Sequence, residues 1–236
     1  MITADETLLD NPAYASLCGA HAQLAQVCGR ARRYPADVSP FLGLPLPPSA
    51  QDWQDAAGLF APGTFVAGQF GGAELPDGWR AVQAYDVVQM IGERVAAAPC
   101  AEAIPLGVAD VPEMLELVAR TEPGPFMSRT IELGDYLGIR REGALVAMAG
   151  ERFQPDGWTE ISAVCTTPDH RGQGLASALI GALMEGIQRR SQRAFLHVMT
   201  TNTGAIRLYE ALGFRQRERA TLTVVTRGTS GGPRDV

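Results

Sequence analysis

The sequence predicts an α+β fold: a mixed, largely antiparallel sheet flanked by helices, preceded by a smaller α/β lobe. Three observations predict it. Residues 136–166 contain alternating apolar runs broken by Glu142-Gly143 and Pro155-Asp156-Gly157, the pattern of an antiparallel meander. Two amphipathic helical stripes follow, over 172–190 and 203–212, with a strand between them. A glycine-containing turn, Gly172-Gln173-Gly174, stands directly before the first stripe.

The elements read as follows along the chain. Residues 13–27 form a helix with Leu17, Leu24 and Val27 at helical spacing, 39–49 a Pro-rich connector, and 64–70 and 79–86 strands. Residues 99–104 mark the hand-over between an N-terminal lobe (1–100) and a C-terminal domain (101–227). Within the latter, 109–120 is a helix with Val111, Met114, Leu115 and Val118 on one face, and 136–141, 144–153 and 158–166 are strands. The helix 172–190 carries Leu175, Leu179, Leu183 and Ile187 on one stripe, with Arg189 and Arg190 at its negative C-terminal end. Residues 194–200 form a strand, 203–212 a helix capped by Asn202 or Thr203 and stopped by Gly213, and 217–226 the last strand. The Gly-, Ser- and Pro-rich tail 228–236 reads as disordered.

Composition narrows the functional classes. A chain of 236 residues, 46% hydrophobic and 19% charged, can bury a substantial core without disulfides, which excludes a disordered or coiled-coil protein. A net charge of -6 without a dense basic stripe argues against nucleic acid as a partner, because phosphate binding needs clustered cations. Cys18, Cys28, Cys100 and Cys165 show no C-x-x-C spacing, and neither a secretory signal nor a membrane-length apolar run is apparent. The expectation is a cytoplasmic protein with reduced thiols, no structural metal and no membrane contact, either monomeric or a homodimer.

The chemistry concentrates at Arg171-Gly172-Gln173-Gly174-Leu175-Ala176. A helix N-terminus has unpaired N–H groups and partial positive charge, glycines let a pyrophosphate approach the backbone, and Arg171 adds a fixed charge. Taken alone, the glycines could equally form a tight loop with no ligand. A dinucleotide fingerprint wants glycines immediately after the strand and an acidic residue ending the next one. Here 167–170 intervene, and the following strand ends Met199-Thr200-Thr201-Asn202.

The run Val164-Cys165-Thr166-Thr167-Pro168-Asp169-His170-Arg171-Gly172-Gln173-Gly174-Leu175-Ala176 resembles the acetyl-CoA-binding motif of GNAT acetyltransferases. Asn202-Thr203-Gly204-Ala205-Ile206-Arg207-Leu208-Tyr209-Glu210-Ala211-Leu212-Gly213-Phe214 resembles the second signature of that superfamily. The resemblance covers residues 101–227, and the earlier residues resemble a subgroup in which a degenerate N-terminal lobe packs against a catalytic C-terminal domain. It implies direct transfer of acetyl from acetyl-CoA to a primary amine of a small molecule, amino acid or peptide, through a ternary complex. The alternative is a non-catalytic CoA-binding or regulatory protein.

By the same resemblance, Val164, Cys165 and Thr166 line the pantetheine arm, with an N–H near Val164 facing the thioester oxygen. Arg171, Gly172, Gln173, Gly174, Leu175, Ala176 and Ser177 hold the pyrophosphate, and Asn202 and Tyr209 also meet the cofactor. Tyr209 corresponds to the tyrosine that protonates the departing thiolate, and Glu160 to a general base. Glu160 stays open between that role and a solvated strand-end glutamate. His197, between Phe195 and Met199, reads as a packed structural histidine. Cys165 has no His partner at a recognisable spacing, so an acyl-cysteine intermediate is not expected. Arg30, Arg32 and Arg33 form a basic cluster on a solvated surface.

Overall fold

The computed structural model describes residues 5–228. A 3-10 turn, Glu6–Asp10, leads into α1 (Pro12–Cys18), where the Asn11 side chain accepts from the Tyr14 N–H. The spacing that predicts one helix over 13–27 is only partly realised. Gly19 ends α1, a second 3-10 turn follows at Ala22–Leu24, and the chain becomes extended at β1 (Gln26–Cys28). Glycine is a poor helix residue and a ready terminator, and nothing buried rewards continuing the stripe: Val27 is 54% exposed. β1, β2 (Ala31–Arg33) and β3 (Leu42–Gly43) make a small antiparallel sheet. α2 (Ala50–Ala57) starts on a Ser49/Asp52 capping box.

β4 (Phe65–Gly68) and β5 (Trp79–Gly92) then enter the main sheet, followed by β6 (Ile104–Pro105) and α3 (Val111–Thr121). Next come β7 (Tyr136–Arg141), β8 (Ala144–Glu151), β9 (Trp158–Thr166), α4 (Leu175–Arg189), β10 (Arg193–Met199), α5 (Thr203–Leu212) and β11 (Arg215–Arg227). The sheet order is β4-β11-β5-β10-β9-β8-β7-β6, and among the described residues β9/β10 is its one parallel pair of strands. The expected mixed, mostly antiparallel sheet with flanking helices is therefore present. Residues 99–104 run from the β5–β6 connection into the first residue of β6, and strands from both sides of that stretch belong to one sheet. β5 runs to Gly92, beyond the end predicted at residue 86, because residues 87–92 are buried between β10 and β11. The tail predicted over 228–236 lies, apart from Gly228, outside the described residues.

The sheet has two differently covered faces. On one, α4 and α5 bury Leu179, Leu183, Leu196, Val198 and Tyr209. On the other, the N-terminal segment lays Leu9, Leu17, Tyr34 and Phe41 against Phe153, Trp158 and Phe195. Burial of such side chains contributes roughly 1.5–3 kcal/mol each, which is what fixes the N-terminal segment on the sheet. His21 adds a polar tie: Nε2 donates to the Leu133 carbonyl at 3.1 Å and Nδ1 accepts the Tyr34 hydroxyl at 2.8 Å.

Burial pushes His21 down to about 4, partly offset by its bond to Leu133. Against an unfolded value of about 6.5, the stability held by neutral His21 is complete above pH 6.5 and is lost as the pH falls toward 4. Urea unfolding at pH 7.0 and 4.5 should therefore show a smaller acid loss in His21→Gln than in the wild type. Equal acid losses would remove His21 from the titration.

Candidate active site

β9 and β10 pair at Trp158–Arg193, Thr159–Ala194 and Glu160–Phe195, and then stop pairing although both strands continue. The break coincides with a bulge. Ala163 has φ +53, and the β8/β9 register shifts between Met148 and Gly150. A non-glycine residue in the left-handed region is held there only by its surroundings, and Ala163 packs among Met148, Cys165 and Tyr136. The bulge re-aims β9 and leaves a wedge between two strands whose facing backbone groups are free to take a ligand.

At the end of β9 the chain turns through Pro168–His170 into α4. Gly172 (φ +77) and Gly174 (φ +75) both occupy the left-handed region, and a Cβ at either would meet no atom within 4 Å. The glycines thus serve a backbone shape and leave open space in front of it. Among the described residues, the N–H groups of 172–177 have no protein acceptor; the first intrahelical bond is from the Ala178 N–H to Gly174. This run of free donors at the positive end of a 15-residue helix suits a pyrophosphate. Arg171, Gly172, Gln173 and Gly174 are exposed, Leu175 is buried beneath them, and Ala176 and Ser177 are half-buried. The structure brings together on one rim the residues that the sequence reading groups around a phosphate.

Val164 and Thr166 are half-buried along the wedge, whereas Cys165 faces the core of α3. Burial pushes the Cys165 thiol up to about 11, which suits an inert thiol. The Asn202 side chain caps α5 by accepting from the Ala205 N–H at 3.1 Å, and Gly213 closes the helix. Tyr209 is buried against Phe214, and burial, reinforced by nearby Cys165, raises its phenol to about 12. Its hydroxyl has no hydrogen bond among the described residues, yet it is not sealed from solvent. A proton donor without an internal partner that reaches solvent is available to a ligand.

Glu160 is not the solvated strand end that the sequence left open as one of its two readings. The carboxylate is fully buried and paired bidentately with Arg152, at 2.8 and 2.7 Å, while Oε1 also accepts from His197 Nδ1 at 2.7 Å. Burial alone would raise its pKa; attraction to Arg152 and the bonds from Arg152 and His197 outweigh it and hold the carboxyl near 2. Arg152 lies against the rings of Phe41 (5.0 Å) and Phe153 (4.8 Å).

His197, expected as a plain core residue, instead joins this network. Gln89 fixes its tautomer. The Gln89 Oε1 accepts from Arg217 at 2.9 Å and its Nε2 donates to the Leu9 carbonyl at 2.7 Å, so that amide has one orientation. The same Nε2 lies 3.0 Å from His197 Nε2, which must therefore accept. Nδ1 is then the nitrogen that donates to Glu160. No spacing in the sequence signals this, because His197 and Gln89 come from segments remote from the Arg152/Glu160 hairpin.

Among the described residues, no three His, Cys, Asp or Glu side chains gather as metal ligands, and no helix is long and apolar enough to cross a membrane. The guanidinium of Arg30, in the basic cluster, is paired with Asp52, and the Arg30 backbone N–H donates to the Asp55 carboxylate.

Comparison with known proteins agrees with this geometry. The family profile described as FR47-like protein matches residues 136–224. A crystal structure from Novosphingobium aromaticivorans, described as a putative acetyltransferase from the GNAT family, is 36% identical, covers 94% of this chain and 99% of its own, and superposes with a TM-score of 0.85. The ribosomal-protein-bS18 alanine N-acetyltransferase of Escherichia coli is 28% identical over 117 residues, 47% of this chain and 78% of its own length. An uncharacterized N-acetyltransferase of Methanocaldococcus jannaschii is 40% identical over 60 residues. That match spans only 26% of the archaeal protein's length and 25% of this chain.

Replacing Glu160 by Gln should leave the Arg152 guanidinium buried without its counter-ion, at about 3–5 kcal/mol in urea unfolding at pH 7. Adding Arg152→Met should recover part of that loss. A single variant as stable as the wild type would show that the pair is not a determinant of the fold.

Proposed function

Because the chain belongs to the GNAT family of N-acetyltransferases, we propose that it binds acetyl-CoA across the Gly172–Ser177 turn and the β9/β10 wedge, and passes the acetyl group directly to a primary amine. The observation that carries this reading is the conjunction of two features at one rim: unpaired N–H groups over 172–177, and strands that separate just past Glu160. The first suits the pyrophosphate. The second leaves backbone along Val164, Cys165 and Thr166 to pair with the amide groups of the pantetheine arm.

Acyl transfer to an amine needs a neutral nucleophile, a polarised thioester carbonyl and a protonated leaving thiol. The N–H near Val164 is assigned to the carbonyl. Tyr209 is assigned to the thiol: burial raises its phenol to about 12, so it stays protonated at neutral pH and can donate a hydrogen bond to the departing sulfur. Asn202 orders the start of the helix that carries Tyr209 and borders the cofactor arm. The acceptor class is a primary amine of a small molecule, amino acid or peptide. The name of the E. coli relative, which specifies a ribosomal-protein alanine, makes an alanine-initiated peptide a natural member of the panel. The N-terminal segment, laid over the face opposite α4 and α5, forms the acceptor side.

Titration calorimetry should give acetyl-CoA binding in the micromolar range, about -8 kcal/mol, and none in Gly174→Glu, where bulk and negative charge replace the open space before α4. Release of CoA thiol should then be screened with L-alaninamide, an alanine-initiated hexapeptide, n-hexylamine and spermidine. Tyr209→Phe should lower kcat by at least tenfold while acetyl-CoA affinity stays within threefold. Absence of wild-type binding would sink the reading. Binding without turnover of any amine would favour a CoA-binding protein that is not an enzyme.

A further inference from the structure

On the sheet face covered by the N-terminal segment lies a small chamber of about 30 Å³, lined by Phe41, Val87, Arg152, Phe153, His197 and Leu222. Gln69 lines both this chamber and a wide groove of about 640 Å³ that runs along β11 past Gly71 and Gly72, so the two adjoin. The chamber suffices for one water-sized group, and the groove for a far larger body. His197 stands just beyond the last β9/β10 pair, where the wedge opens. Its neighbours Leu196 and Val198 face α4 and Tyr209, so by strand alternation the imidazole faces the chamber.

We propose that the acceptor amine enters this chamber from the groove and that His197 is the base that takes its proton, with Glu160 and Arg152 as positioning residues behind it. The inference rests on the acetyl-transfer reading above and replaces Glu160 as the immediate proton acceptor. A carboxylate saturated by Arg152 and by the His197 Nδ1–H has little proton affinity to offer. The imidazole in front of it is well arranged: its Nδ1–H is committed to Glu160, and its Nε2 lone pair meets the Gln89 amide at 3.0 Å, with Gln69 of the chamber lining 3.4 Å away. This is the division of labour in which a buried carboxylate holds a histidine in one tautomer and stabilises the imidazolium that forms.

The groups facing His197 are compatible with its protonation. Glu160 meets Nδ1, the neutral amides of Gln89 and Gln69 lie 3.0 and 3.4 Å from Nε2, and the cations Arg152 and Arg217 are bound to Glu160 and Gln89 respectively. The amine takes the place of the Gln89 N–H at Nε2, and that amide keeps its bond to Leu9. In the transfer, the amine nitrogen bonds to the thioester carbonyl carbon and the carbon–sulfur bond breaks. The nitrogen's proton goes to His197 Nε2, and the thiolate takes the Tyr209 proton from the opposite face. The narrowness of the chamber selects an amine on a slender neck, with the rest of the acceptor in the groove.

The test combines a spectrum with kinetics. In the acetyl-CoA complex, long-range 1H–15N correlation should show His197 protonated at Nδ1 and bare at Nε2; a proton on Nε2 would overturn the assignment. With the best acceptor of the four-amine panel, His197→Gln should lose at least a hundredfold in kcat with acetyl-CoA affinity unchanged. The acid limb of the wild-type kcat profile, where a protonated base stops turnover, should also disappear. A variant within threefold of wild type, or one retaining that limb, would overturn the proposal. If His197→Gln does not fold, the wild-type spectrum decides. Wild-type binding of acetyl-CoA without turnover removes the transfer reading and this inference together, whereas turnover with a silent His197 removes only the inference.

Discussion

Strands β9 and β10 share three residue pairs and then part, and the chemistry of this fold depends on that separation. A continuous parallel ladder would use its backbone donors and acceptors internally and leave no room for a ligand to pass between the strands. The left-handed Ala163 and the register shift beside it direct β9 away, while α4 and α5 hold β10 from behind. The wedge then gives access to both faces of the sheet at one point. The phenol of Tyr209 lies on one side and the imidazole of His197 on the other, a juxtaposition that neither residue's local sequence contains.

The second constraint is the buried Arg152–Glu160 pair. Placing two full charges in a core is unfavourable unless geometry and further hydrogen bonds compensate. Here two short bonds, two aromatic rings and a histidine N–H surround it. The pair is held under Phe41, so the N-terminal segment helps to complete the low-dielectric setting in which the pair and the histidine operate.

Much of the fold was legible because its signals are local. Strand 158–166 and helix 203–212 have the boundaries that alternation and capping predict, since Gly157, Asn202 and Gly213 act within a few residues of the ends they define. The glycine turn was legible for the same reason: its left-handed residues and free N–H groups are properties of consecutive positions. Helix 13–27 was misread because periodicity cannot tell whether a tertiary surface will bury the later turns, and Val27 has none. The buried network around Glu160 was hidden for a related reason: His197 and Gln89 become neighbours of the Arg152–Glu160 hairpin pair only after the sheet has formed.

The place of β5 in the sheet has a consequence for the making of the protein. Its flanking strands, β10 and β11, both lie later in the chain, beginning at residues 193 and 215. On a ribosome adding roughly 5–20 residues per second, β5 waits on the order of 5–20 s with neither edge paired. Its Val87, Val88, Met90 and Ile91, fully covered at the end, are exposed throughout that interval. The native sheet cannot close from its N-terminal side. Nascent chains are therefore most vulnerable to aggregation in that interval, and a chaperone that shields a short β-prone segment would act there.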